Sequence, residues 1–248
     1  MNTSINLYFK NLDTKLKLET IKKLGYVEFF TGIYDGQETL KLIEQINYAK
    51  NLGLNCTMIH CDYHDYDLNK LWEEEQIGED ITNKFIKQIF SCEGLTKNFV
   101  VHLNDSKDCP VSEIGLIRIK KMLKACEEIN INLCVENLYS DKEIPYIFSN
   151  ISHPLLKICY DSGHENFLTK NFKICENYGK FIEVLHIHEN NGEQDEHKKL
   201  SKGSFVYNKL KKELKLLKKD IVLASEIKIK QDEWVNYLKE NYEVLKSL

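Results

Sequence analysis

The chain has 248 residues, of which 42% are hydrophobic and 29% charged, and its formal net charge is −4. This length and composition predict one globular domain over residues 1–248 with a sizeable core. The first ten residues lack a basic segment followed by a long apolar run, and no run approaches the about 20 apolar residues of a membrane span. We therefore expect a cytoplasmic protein that does not enter a membrane.

Two features of the composition bear on the state of the cysteines and on the kind of partner. Eight cysteines are scattered without a CxxC pair, which indicates free and mostly buried thiols rather than disulfides. The only arginine is Arg118, whereas DNA binding depends on clustered Lys and Arg that neutralise phosphates. A small-molecule partner is therefore favoured over nucleic acid.

Short apolar runs alternate with longer amphipathic segments along the chain. The apolar runs predict eight strands, at residues 4–9, 26–30, 55–60, 98–103, 131–137, 156–160, 183–188 and 221–227. Intervening segments repeat apolar residues every three or four positions, as in helices, at 38–53, 79–94, 113–129 and 205–219, and 233–248 predicts the last helix. Eight strand–helix units predict an α/β fold of the (β/α)8 TIM barrel type. An open doubly wound sheet also alternates strands and helices, but it gives no reason for metal-binding side chains at six strand ends.

Six predicted strands end on, or next to, a side chain that can bind a metal. In a parallel barrel these ends meet at one mouth, where the active site forms. Carboxylates that follow buried runs cost several kcal/mol unless they are paired or bound to a cation. Mixed imidazole and carboxylate ligands suit Zn, Mn, Fe or Co. The six residues are His60, His102, Glu136, Asp161, His186 and Glu226.

Loops after the strands carry further candidates. The D-S-G-H sequence at 161–164 adds His164, and the loop after strand seven adds Asp195 and His197, two positions apart. His188 alternates onto the same face of strand seven as His186. Cys61, beside His60, is interpreted as a small apolar filler.

The order H60…H102…E136-N…D161-S-G-H164…H186-I-H-E-N…D195-E-H197…G203…E226 resembles the xylose isomerase-like TIM barrel superfamily. That superfamily includes sugar isomerases and epimerases and the abasic-site endonucleases of the endonuclease IV type (AP endonuclease family 2). The resemblance implies one divalent ion, zinc or manganese, held by Glu136, Asp161, His186 and Glu226. The endonuclease branch implies up to three ions. Glu136 would then be shared with His60 and His102, and His164, Asp195 and His197 would hold the third ion.

The chain departs from both branches. Its loop between His186 and Asp195 is shorter than in the endonuclease pattern and lacks the Arg and aromatic wedges of that pattern. The ketose 3-epimerase pattern has an Arg shortly after the strand-seven histidine, where Asn190, Asn191 and Gly192 stand here. These departures leave the substrate open.

The preferred prediction is a metal-dependent sugar or sugar-phosphate isomerase or epimerase. Glu136 and Glu226 would exchange a proton with the substrate from opposite sides, and the metal would hold its carbonyl and hydroxyl. The alternatives are an endonuclease IV-like multinuclear zinc phosphodiesterase and a barrel that binds metal or a metabolite without turnover. The resemblance also implies a homodimer. The predicted substrate-binding residues are His188, Asn137, Glu28, Trp72 and Lys228.

Overall fold

A computed structural model of the protein describes residues 1–7, 12–33, 39–64, 66–170, 172–218, 220–229 and 233–248, without the side chains of 39–40. The strands are β1 (Thr3–Ile5), β2 (Glu28–Gly32), β3 (Asn55–His60), β4 (Asn98–Val101), β5 (Asn132–Glu136), β6 (Leu156–Asp161), β7 (Ile182–His186) and β8 (Leu223–Ser225). The α-helices are α1 (Thr14–Lys23), α2 (Thr39–Asn51), α3 (Gln76–Ser91), α4 (Glu113–Ile129), α5 (Glu143–Asn150), α6 (Ser162–Phe167), α7 (Ile174–Tyr178), α8 (Phe205–Glu213) and α9 (Trp234–Lys246). In the described ranges, 3-10 helices occupy Leu68–Trp72, Gly179–Phe181 and Leu214–Leu216.

The strands form a closed ring. Strands β2 to β7 pair in parallel and in chain order, and β1 pairs in parallel with β8. Parallel bridges from Asn6 to Phe30 and from Ile187 to Ser225 join this pair to the two edges of the larger sheet. The predicted TIM barrel is therefore confirmed. The predicted first strand continues to residue 9, but residues 8 and 9 lie outside the described part of the chain.

The interior of the barrel holds one layer of small and large apolar side chains, one from each of β2 to β8. Such layers fill a TIM barrel as a packed core. The ring of Phe30 stacks on the imidazole of His186, with centroids 5.1 Å apart and planes 15° apart. The layer therefore forms the floor of the barrel mouth. Its members are Phe30, Met58, Val100, Cys134, Cys159, Val184 and Ala224.

Residues 68–75 of the long connection after β3 pack against α4 instead of lining the mouth. Trp72 is buried, and its indole Nε1 donates to the carbonyl of Leu103 at 2.7 Å. A Cβ added at Gly115 in α4 would lie 2.1 Å from the Trp72 ring, so the glycine makes room for it. Arg118 donates to four carbonyls of residues 70–75. The prediction that Trp72 contacts substrate is therefore wrong, because the indole belongs to the core.

Candidate metal centre

The C-terminal ends of six strands bring the predicted metal-binding side chains together. Strands β3, β5, β6 and β7 each end on such a residue, and β4 and β8 are each followed by one. The strand register pairs Asp161 directly with His186 across β6 and β7. All six residues are buried: His60, His102, Glu136, Asp161, His186 and Glu226.

Glu136 lies at the centre of these residues, and its two carboxylate oxygens face different imidazoles. Oε2 lies 3.2 Å from His60 Nε2 and 3.0 Å from His102 Nε2. Oε1 lies 3.2 Å from both His186 Nδ1 and His164 Nδ1. A carboxylate in this position can contribute one oxygen to each of two adjacent ions.

Among the described residues, potential ligand atoms form three groups, and within each group they all lie within 4.8 Å of one another. The first group contains His60, Glu136 and His186, and His102 contacts it through Glu136. The second group is Glu136, Asp161, His186 and Glu226. The third group is His164, His188, Asp195 and His197. Hence all nine predicted metal ligands converge on the mouth, and His188 joins them.

The third group depends on a loop that returns to the barrel after β7. Glu189 and Lys198 exchange both backbone hydrogen bonds, at 2.7 and 2.9 Å, which closes the loop at its base. Asp195 Oδ2 then lies 2.8 Å from His197 Nε2 and 3.9 Å from His164 Nε2. The short loop therefore still delivers its Asp-x-His pair to the mouth.

Charges around Glu136 keep its carboxylate ionised. Burial acts to raise the pKa of Glu136, but the adjacent His186 and His102 imidazoles hold that pKa well below its usual range. For His102 burial dominates and lowers the pKa to about 4. The His102 ring is therefore neutral near pH 7, which is the state that a metal ligand requires.

Four other histidines of the three groups have a raised pKa. Burial opposes protonation of each ring, but the hydrogen-bond acceptors and carboxylates beside it outweigh burial. A divalent ion would therefore displace protons from these rings, and its affinity would rise with pH. The four are His60, His164, His186 and His197.

Unpartnered buried atoms indicate that a cation fits this site. Within the described part of the chain, Asp161 Oδ2, His186 Nε2, Asp195 Oδ1 and His188 Nδ1 are buried without a hydrogen-bond partner. Such atoms cost about 1–3 kcal/mol each unless something else satisfies them. Imidazole and carboxylate ligands without thiolate match zinc or manganese. The residues present therefore fit the divalent ions that the sequence predicts.

A cavity of about 410 Å³ opens above the three groups. Lys228 lines it, as the sequence predicts, and its Nζ donates to the carbonyl of Asp195 at 3.2 Å. Sequence reasoning missed Tyr63, whose ring stacks on His102 with centroids 4.1 Å apart, and His64, whose Nδ1 lies 3.0 Å from Asp62 Oδ1. Both line the cavity. Their position in the loop just after His60 is the signal that could have identified them.

Three predicted substrate contacts lie elsewhere. Glu28 begins β2 at the opposite end of the barrel, where its carboxylate accepts a hydrogen bond from Thr57 Oγ1 at 2.9 Å. The prediction that Glu28 lies in the substrate pocket is therefore wrong. Asn137 is buried and exchanges two hydrogen bonds with the backbone of Asp161, so it positions that residue. His188 is fully buried within the third group and is not part of the cavity lining.

The fold and the mouth define a class, a (β/α)8 barrel whose strand ends bring together side chains that could hold a metal ion. The chain belongs to the xylose isomerase-like TIM barrel family, because the model of that family matches residues 116–248. It is 36% identical over 220 residues to an uncharacterized protein of Methanocaldococcus jannaschii, covering 83% of this chain and 82% of that protein. The family predicted from the ligand order is therefore confirmed.

Solved structures extend the likeness of fold to the whole chain. A D-tagatose 3-epimerase-like protein superposes with a TM-score of 0.78 at 18% identity, covering 100% of this chain and 99% of its own. D-psicose 3-epimerase from Clostridium cellulolyticum H10 superposes with a TM-score of 0.76 at 14% identity, covering 100% and 97%. No helix among the described residues is long and apolar enough to cross a membrane.

Proposed function

We propose that this chain is a divalent-metal-dependent enzyme that hydrolyses a phosphate ester of a small, sugar-like molecule. The observation that carries the proposal is the position of Glu136, with one oxygen toward His60 and His102 and the other toward His186 and His164. A carboxylate shared between two ions is typical of two-metal hydrolases such as phosphatases and nucleases. This contact pattern shifts the preference from the isomerase, which the sequence favours, to hydrolysis.

The surroundings of Glu136 also argue against its use as a proton-transfer base. An isomerase base must reach a C–H group of the substrate. The side chain of Glu136 is only 1% exposed, and both oxygens are in contact with imidazoles. Its pKa is held well below the usual range, so it holds a proton poorly.

The chain supplies the remaining parts of a hydrolytic site. Residues of the three groups would hold divalent ions, and these would supply Lewis acidity that polarises a phosphoryl group and lowers the pKa of bound water. Lys228 gives the cavity wall a cation for the phosphate, and Tyr63 gives it an apolar face. If Nδ1 of His64 donates to Asp62, the other ring nitrogen can pass a proton to the leaving oxygen.

The cavity favours a small substrate over a nucleic acid duplex. Its volume of about 410 Å³ lies in the range of pockets for small molecules. The only arginine of the chain, Arg118, is buried, donates to backbone carbonyls and is not among the residues that line the cavity. A sugar phosphate or another small phosphate ester matches both observations.

Phosphate release tests the proposal. Zinc-loaded and manganese-loaded protein would be incubated with sugar phosphates, with aryl phosphate mono- and diesters, and with an abasic-site duplex. We expect metal-dependent hydrolysis of a small ester that Glu136→Gln abolishes. Cleavage of the duplex alone, or the absence both of phosphate release from every monoester and of phenol release from every aryl ester, would contradict the proposal.

A sugar or sugar-phosphate epimerase is the second candidate. It is supported by the second ligand group, which alone can hold one ion, and by Glu226, a carboxylate that lines the cavity. Epimerisation or isomerisation exchanges a carbon-bound hydrogen with solvent. Incorporation of deuterium from D₂O into a ketose or its phosphate, without phosphate release, would favour this candidate. Tight ion binding without either reaction would favour a non-catalytic barrel.

A further inference from the structure

His188 is a buried histidine that contacts the candidate ligand Asp161. The residue is fully buried, and it is not among the residues that line the cavity, so its ring does not touch a substrate there. Its Nε2 lies 3.1 Å from Oδ1 of Asp161. The His188 ring can therefore take part in the chemistry of the mouth only through its neighbours.

The surroundings of the two ring nitrogens decide which of them carries a hydrogen. With the hydrogen on Nδ1 alone, the lone pair of Nε2 would face the Asp161 carboxylate, and the Nδ1–H group would be buried without an acceptor among the described residues. A buried N–H group without an acceptor is costly and rare. With the hydrogen on Nε2, the ring donates to Asp161, and only a lone pair is left without a partner. The contact is therefore a hydrogen bond from His188 Nε2 to the carboxylate.

The first three residues of the D-S-G-H sequence hold His188 in this position. Asp161 accepts from the ring, and the hydroxyl oxygen of Ser162 lies 3.3 Å from both the backbone nitrogen and the backbone oxygen of His188. A Cβ added at Gly163 would lie 2.0 Å from Cε1 of His188, so the glycine leaves space for the ring. The ring also stacks on His197, with centroids 4.0 Å apart and planes 10° apart. These contacts leave the imidazole little freedom to turn.

The two oxygens of Asp161 have different surroundings. Oδ1 accepts from the backbone nitrogen of His164 at 2.6 Å and faces His188 Nε2. Oδ2 is buried and has no hydrogen-bond partner in the described part of the chain, and it lies 3.9 Å from Nδ1 of His186, a member of the second group. The donors at Oδ1 thus leave Oδ2 as the oxygen that is free to bind an ion.

We propose that His188 is a positioning residue for the ion of the second group, because it holds Asp161 with Oδ2 toward that ion. Carboxylates that bind metals are hydrogen-bonded in this way, and loss of such an outer contact typically lowers metal affinity by about 10–100-fold. The inference rests on the metal dependence of the proposed function but not on hydrolysis, since an epimerase would use the same ion.

Two amide substitutions of different length test the hydrogen bond. The NH₂ group of a glutamine at position 188 reaches about as far from the backbone as Nε2 of histidine, whereas that of an asparagine reaches only about as far as Nδ1. His188→Gln should therefore keep the donor to Asp161 and bind zinc nearly as tightly as the wild type. His188→Asn should lose the donor and bind one ion about 10–100-fold more weakly.

Zinc is measured without substrate. Full-length protein is freed of metal, reloaded with Zn²⁺, equilibrated against a competing chelator and analysed for zinc per chain. The double variant Asp161→Asn/His188→Asn should retain as much zinc as Asp161→Asn alone, because His188 acts through Asp161. Proton–nitrogen NMR correlation spectra of the wild type should show a hydrogen on Nε2 of His188, with and without zinc, and this measurement needs no variant.

The matched control is His153→Asn, which removes a histidine ion-paired with Glu127 outside the three groups and should leave zinc affinity unchanged. Thermal unfolding of the metal-free variants checks that each one folds. Equal zinc affinity in His188→Gln and His188→Asn would overturn the inference, as would an unprotonated Nε2 in the wild type or the loss of a further ion in the double variant. Zinc bound in the expected order without hydrolysis of any ester would overturn the hydrolase and support the role of His188.

Discussion

The substitution Glu136→Gln should remove two ions from the protein, not one. Two of the three ligand groups contain Glu136, and its oxygens contact four imidazoles at 3.0–3.2 Å. The amide keeps the shape, but it removes the negative charge and turns an NH₂ group toward one pair of rings. Metal polarisation contributes about 4 kcal/mol to such reactions, which corresponds to about a 1000-fold loss of kcat/KM. The third group should keep its ion.

Elemental analysis of zinc, together with phosphate release, measures this outcome. The matched control is Asp161→Asn, since Asp161 belongs to only one group and should cost one ion. The difference between the two variants isolates the bridging role, because each replaces one buried carboxylate by its amide. Equal losses of zinc in the two variants, or three ions retained in Glu136→Gln, would refute the bridging assignment.

Three further outcomes follow from named contacts. His64→Gln should lower kcat by about 100-fold at unchanged zinc content, because a lost proton donor has an effect of this size. A change in zinc content would contradict the assignment of His64 as a proton donor that does not bind metal. Trp72→Ala should cost about 3–5 kcal/mol of unfolding free energy in urea without changing zinc affinity in the folded state, whereas a selective effect on KM would restore Trp72 as a substrate contact. The four histidines with a raised pKa stabilise the metal-free fold below their ordinary value of 6.5, and this stabilisation is lost as pH rises through the folded pKa. The unfolding free energy of metal-free protein should therefore fall above pH 6.5 and that of zinc-loaded protein should not; parallel pH profiles would contradict this.

The strand-end residues could be predicted because strand position and side chain are linked locally. The run 55–60 has apolar Met58 and Ile59 just before His60, and in a parallel barrel the last residue of a strand lies at the mouth. His60 and Glu136 end their strands in the structure as the sequence predicts. The ends of the last strand were harder to predict. Strand β8 covers only Leu223–Ser225 of the predicted run 221–227.

The misassigned residues are those whose role depends on distant parts of the chain. Trp72 is buried because Gly115, 43 positions later, leaves space for its ring. Glu28 moves to the far end of the barrel because β2 starts at this residue and runs to Gly32, two residues beyond the predicted strand. His188 fits beside Asp161 only because Gly163 leaves space for its ring. No local pattern carries these long-range pairings.

The charge of the site connects the number of ions with the kind of substrate. The second and third groups contain four carboxylates between them, those of Glu136, Asp161, Asp195 and Glu226. One divalent ion leaves this mouth with a net negative charge when the histidines are neutral, which suits an uncharged sugar and repels a phosphate. Three divalent ions reverse the sign to a net charge of about +2, which attracts a phosphate dianion, and in a low-dielectric mouth this attraction is stronger than in water. The residues that a third ion would require, His164, Asp195 and His197, therefore bear directly on whether the barrel accepts a phosphate ester.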